Sequence, residues 1–236
     1  MSLTDDLYAV AEPLWEEQLQ HPFVRGLGAG TLEEERFKRW VLQDYRYLME
    51  FARIFAWAVA KADTLESMSW YAKVLDLTLN TEMGLHRQYA ARFGLSSSDL
   101  EAEPMWPTTR AYTDFLVRTA ADGDMLDLLA ALLPCAWGYV HIAQRLAATD
   151  SPADQRYADW ISQYASEEFF EALVWLRREM DRLGTGVSEE KRNRLREIFL
   201  ISTRYEGLFW EMCWTGESWE SQGTSAGIVC GRPLAP

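Results

Sequence analysis

Apolar residues recur along this chain every third or fourth position, and nowhere in a convincing alternate pattern. Residues 3–20 place Leu3, Leu7, Val10, Ala11, Leu14 and Leu19 near helical period, which predicts an amphipathic helix. His21-Pro22 breaks it, and residues 23–27 read as a short turn punctuated by Gly26, Gly28 and Gly30. Thr31 stands where a cap belongs. Glu33, Glu34 and Glu35 then suit the positive end of the next helix, which carries Phe37, Trp40, Val41, Tyr47, Leu48, Phe51 and Phe55 to about residue 62. Further helices are predicted over 65–93 (stopped by Gly94), 108–121, 125–149, 152–183 and 188–215, with a polar loop over 96–107. The links are Asp122-Gly123-Asp124, Asp150-Ser151-Pro152 and Gly184-Thr185-Gly186. No strand precedes the last of these, so it reads as a linker and not a phosphate loop. Residues 221–236 are rich in Gly, Ser and Pro without period, and are expected to form a non-helical tail packed on a neighbour. Long helices, short links and no repeat predict an all-α single-domain bundle over residues 1–220.

One stretch stands out from this pattern. Within the apolar run 128–140, Pro134 is predicted to kink its helix, because proline lacks the backbone donor and clashes with the preceding turn. Cys135 follows at once, and Tyr139 lies four residues on, so the thiol and the phenol share a face. The run is too short to span a membrane.

Composition narrows the function. Eleven Trp, ten Tyr and ten Phe in 236 residues imply a core or cavity walled by flat rings. A formal charge of −13 disfavours nucleic acid and anionic membranes as partners, since both require a basic face. The cysteines at 135, 213 and 230 make neither a disulfide framework nor a metal-site spacing, which fits a cytoplasmic protein.

Acids on apolar stripes carry the next signal. Trp40, Asp44, Tyr47 and Phe51 step by four, three and four, so Asp44 falls among rings. Phe199, Ser202, Glu206, Phe209 and Cys213 do the same for Glu206. An acid goes inside only with a partner or a task, so these two and the Cys135–Tyr139 face predict one pocket shared by three helices. Glu82 and His86, at i and i+4, could hold a metal. With His21 and His141 the only other histidines, a metal site is poorly supplied. His141 lies about 240° around the helix from Cys135 and reads as a surface or packing residue. Glu167, Glu168 and Glu171 read as a solvated face. Tyr112 and Tyr164 fit core positions equally well.

Taken together, several segments resemble the TenA family, thiaminase II. They are Trp15 with Leu19-Gln20-His21-Pro22-Phe23-Val24, Trp40-Val41-Leu42-Gln43-Asp44-Tyr45-Arg46-Tyr47-Leu48, Leu132-Leu133-Pro134-Cys135-Ala136-Trp137-Gly138-Tyr139, Tyr164-Ala165-Ser166-Glu167-Glu168-Phe169, and Tyr205-Glu206-Gly207-Leu208-Phe209-Trp210. The resemblance implies a heme-oxygenase-like bundle that binds no heme, needs no metal or other cofactor, and assembles as a homotetramer. It also implies a thiamin-salvage hydrolase, which converts aminomethyl aminopyrimidine to hydroxymethyl aminopyrimidine plus ammonia and cleaves thiamin more weakly. Cys135 matches the nucleophile of the cysteine-containing branch, Asp44 the pyrimidine-binding acid and Glu206 the acid/base near the leaving group. Tyr47, Tyr139 and Tyr164 match pocket tyrosines, and Tyr112 does so from a less distinctive segment. Two other functions share the frame. A di-iron or cofactor-free oxidase would use Glu82 and His86, and a non-catalytic pyrimidine-binding protein would keep the pocket without turnover.

Overall fold

The computed structural model describes residues 2–149 and 152–219, and every regular element among them is helical. Eleven α-helices follow in order: α1 (Leu3–Gln20), α2 (Pro22–Gly28), α3 (Glu34–Lys61), α4 (Leu65–Leu77), α5 (Met83–Arg92), α6 (Ser97–Ala102), α7 (Pro107–Asp122), α8 (Met125–Thr149), α9 (Gln155–Tyr164), α10 (Glu167–Leu183) and α11 (Glu189–Thr215). A π-helical turn, Thr78–Glu82, joins α4 to α5. The proposed tail 221–236, with Cys230, lies outside the described residues.

Helix α8 is the axis of the bundle. It packs against α11, α10, α9, α7 and α3, and its residues from Leu126 to Pro134 are all buried. By length and composition it could cross a membrane, although the apolar run 128–140 alone could not. Its most apolar window is instead largely enclosed by the other helices. Helical structure continues through Pro134. The missing proline N–H leaves the Ala130 carbonyl without its i+4 donor. On the next carbonyl, Ala131, the Ser202 hydroxyl of α11 donates at 2.7 Å. A side chain of the neighbouring helix thus bonds to the backbone beside the interruption.

Several predicted boundaries shift, each for a local reason. Residues 23–27 are helical and not a turn: Pro22 sits in the first turn of α2, and the His21 ring nitrogen caps the Phe23 N–H at 3.2 Å. Thr31 does not cap α3, because the N-cap position falls at Glu33, which is extended, and helical geometry begins at Glu34. The polar stretch 96–107 contains α6, opened by a Ser96–Asp99 capping box. The long helix expected over 152–183 divides at Ala165-Ser166, where Ser166 starts α10 by accepting from the Phe169 N–H. Gly94 ends the 65–93 segment with φ +72°, the left-handed geometry that glycine adopts without penalty.

Candidate active site

Helices α3, α4, α8, α9 and α10, with the π turn, enclose a cavity of about 120 Å³. Much of its wall is apolar, from Leu48, Phe51, Phe55, Leu77, Leu173 and Leu176. Asp44, Tyr47, Glu82, Cys135, Tyr139 and Tyr164 gather into a polar patch on it. Trp70 lines the cavity from α4, and its indole stacks on Trp175 with ring centroids 3.9 Å apart and planes 9° from parallel. Glu168, exposed as expected of a solvated face, lines the cavity from α10.

Five of the seven expected site residues therefore face one cavity. The other two, Glu206 and Tyr112, lie outside its wall, buried and next to Cys135 in the electrostatics of the site. Glu206 accepts a 2.5 Å hydrogen bond from the Tyr112 hydroxyl, which is also 3.0 Å from the Ser202 hydroxyl. Burial pushes the Glu206 carboxyl up to about 8; the Tyr112 hydrogen bond pulls it down, the Asp44 charge raises it further, and the Cys135 hydrogen bond lowers it. At neutral pH this acid holds its proton. The Cys135 thiol is pushed well above its ordinary value by burial and then by the Glu206 charge, against a lowering contribution from the Tyr47 hydroxyl. Tyr47 itself makes no hydrogen bond of ordinary geometry, which leaves its buried hydroxyl near the thiol without another partner.

The second acid is held differently. Asp44 accepts from Nε2 of His86 at 2.6 Å, and Nδ1 of His86 lies 3.0 Å from the Glu82 carbonyl. A carboxylate and a carbonyl only accept, so both ring nitrogens donate and the ring is an imidazolium. Burial alone would lower the His86 pKa, but the hydrogen bond and charge of Asp44, with the Glu82 charge, outweigh it and leave it raised. His86 is fully buried and Asp44 nearly so, which makes this an internal ion pair. The sequence offers His86 only as a weak metal ligand. The structure instead makes it the partner of Asp44, with no lone pair left for a metal, and no three His, Cys, Asp or Glu side chains cluster at metal distance among the described residues.

Glu82 was likewise misplaced by an α-helical reading. It ends the π turn, where one extra residue widens the helix and re-aims the side chains, a distortion frequent at functional sites. Its carboxyl lines the cavity and accepts from the Tyr164 hydroxyl at 3.1 Å. Burial first, then the Asp44 charge, pushes it up to about 7. Tyr139 accepts from the Trp40 indole N–H at 3.1 Å, which leaves its own proton free for a ligand. His141 stacks on Trp15 away from this cavity, a packing role as expected. Cys213 is a buried core thiol.

This arrangement can recognise a flat, polar-edged ring. Aromatic side chains stand on several sides, a carboxylate and hydroxyls present donors and acceptors at one edge, and a thiol faces the ring with a protonated acid behind it. Comparison with known proteins agrees. An aminopyrimidine aminohydrolase of Halalkalibacterium halodurans is 42% identical to this chain, over 94% of the chain and 100% of the relative. A solved TenA homologue from P. horikoshii superposes with a TM-score of 0.85 at 31% identity, over 92% of this chain and 100% of that one. A domain from Shewanella denitrificans described as having a heme oxygenase-like fold superposes at 0.70 with 13% identity, over 96% and 97% of the two chains, and identifies the architecture. The TENA/THI-4/PQQC family matches residues 8–216, and this all-α, heme-oxygenase-like chain belongs to it.

Proposed function

We propose that this protein is a cytoplasmic thiamin-salvage hydrolase that converts aminomethyl aminopyrimidine to hydroxymethyl aminopyrimidine and ammonia, with weaker cleavage of thiamin. The observation that carries this reading is the convergence of Cys135, Asp44, Tyr47, Tyr139 and Tyr164 on one ring-walled cavity, with Glu206 against the thiol.

Asp44 and the tyrosines hold the pyrimidine, whose ring nitrogen and exocyclic amine offer an acceptor beside a donor. With the ring nitrogen protonated, the Cys135 sulfur adds to the ring carbon next to the substituted one. As the C–S bond forms, the thiol proton passes to Glu206, and Glu206 passes its own to the departing amine. The C–N bond breaks, ammonia leaves and an exocyclic methylene remains. Water adds to that methylene, its surplus proton returns through Glu206 to sulfur, and loss of the thiol restores the aromatic ring. A partly buried thiol whose proton affinity is raised beside an acid is a poor resting nucleophile, and this relay needs no preformed thiolate. The Tyr47 hydroxyl supports the sulfur as charge builds.

The assembly in this reading is a homotetramer, in which exposed apolar side chains such as Leu65, Leu208 and Phe170 become contacts. Ammonia release from aminomethyl aminopyrimidine, with thiamin in parallel, tests the activity in wild type and Cys135→Ser. The expected result is turnover by wild type and a loss of at least about 10³-fold in the variant. Undiminished turnover in Cys135→Ser would remove the adduct from the mechanism.

A further inference from the structure

The mechanism above requires a protonated pyrimidine ring, and Asp44, the acid assigned to the ring edge, is already engaged by His86 at 2.6 Å. Asp44 is the anion of an ion pair with the His86 imidazolium. His86 itself does not line the cavity, and both its protons are committed, one to Asp44 and one to the Glu82 carbonyl.

From the geometry of the cavity we infer that Glu82 is the acid that protonates the pyrimidine ring. Its carboxyl lines the same cavity as Asp44 and Cys135, delivered there by the π turn at the end of α4. Tyr164 occupies one of its oxygens at 3.1 Å, and among the described residues no other hydrogen bond claims the second. The inference rests on the aminopyrimidine reading of this site and names a residue that the reading left without a role.

The groups facing Glu82 come from every helix around it. Asp44 of α3 raises its proton affinity, His86 of α5 and the Tyr164 hydroxyl of α9 lower it, and burial dominates. From α8, Cys135 and Tyr139 are weaker acids still, with burial pushing both well above their ordinary values. From α10, Glu168 lies on the exposed rim. Glu82, pushed up to about 7, is therefore matched in strength to an aminopyrimidine ring nitrogen, which titrates in the weakly acidic range. The transfer balances within the site. The Glu82 O–H bond breaks and a ring N–H bond forms, so the patch passes from neutral Glu82 with a neutral ring to a carboxylate facing a ring cation. When the thiol departs and product is released, the proton returns to Glu82.

The test uses hydroxymethyl aminopyrimidine, a ligand that undergoes no turnover and whose ultraviolet spectrum changes when the ring is protonated. Difference spectra at pH 7.5 are expected to show the bound ring as the cation in wild type and as the neutral base in Glu82→Gln. Turnover of the aminomethyl substrate should fall about 10²- to 10⁴-fold in Glu82→Gln, chiefly in kcat. Glu82→Asp, which keeps an acid, should restore the cation spectrum and part of the rate, as a merely structural role would not. A neutral ring bound to wild type, or a protonated ring bound to Glu82→Gln, overturns the inference while leaving the hydrolase reading intact. Failure of wild type to bind the pyrimidine at all overturns both.

Discussion

Asp44 and Glu206 are buried carboxyl groups of a single site, and they are given different partners. Asp44 meets an imidazolium at 2.6 Å and forms an ion pair. Glu206 meets a tyrosine hydroxyl and a thiol, with the Asp44 charge nearby, so burial decides and its proton is held up to about pH 8. Desolvation is common to both; the charge of the nearest partner differs. One acid is thereby paired with a cation and the other is left to burial, on helices that both read simply as apolar stripes with one acid.

This contrast can be broken from either side. Glu206→Gln retains the shape and the contact with Tyr112 but cannot relay a proton, and kcat is expected to fall about 10²- to 10⁴-fold with KM nearly unchanged. Steady-state kinetics on the aminomethyl substrate would show it, and a KM effect alone would make Glu206 a binding group. Removing the cation from the other side, His86→Gln, leaves Asp44 as an uncompensated buried charge and should cost about 3–5 kcal/mol in denaturant unfolding. Adding Asp44→Asn to that variant should recover much of the loss, because the penalty belongs to the orphaned charge. A double variant no more stable than His86→Gln would mean that packing of the imidazole matters more than its charge.

The smallest expected effect is on pH dependence. The folded pKa of Glu206 is raised, so between about 4.5 and 8 the folded protein keeps a proton that the unfolded chain has released. Folding stability contributed by this group therefore falls as pH rises through that window and is level below it. Melting temperatures of wild type and Glu206→Gln should diverge by a few degrees from pH 5 to pH 8.5, with the variant relatively more stable at the upper end. Parallel curves would place the Glu206 proton affinity near that of an ordinary carboxyl.

What could be read beforehand follows from what periodicity measures. Asp44 and Glu206 were legible because each falls where its own helix turns inward, a property of neighbours three and four residues away. The partner of Asp44 was not, since His86 lies 42 residues along the chain and only tertiary packing brings them together. Glu82 was hidden for a second reason. The π turn inserts a residue into the helical register, so a period of 3.6 aims it wrongly. The Ser166 boundary carried a readable cap signal, a serine before two glutamates, that the unbroken apolar pattern of 152–183 obscured. The helix α2 carried a start signal in Pro22 but an unusual cap, because histidine is seldom found at that position.

The stack of Trp175 on Trp70, the one of the two that lines the cavity, has a consequence for how the protein can be watched. Two indoles held 3.9 Å apart and 9° from parallel couple their electronic transitions, so their circular dichroism and emission differ from those of isolated tryptophans. Because Trp70 lines the cavity, a ring arriving beside it perturbs that coupled signal. The protein thus carries its own optical reporter of occupancy, and ligand arrival can be followed in stopped flow without attaching a dye.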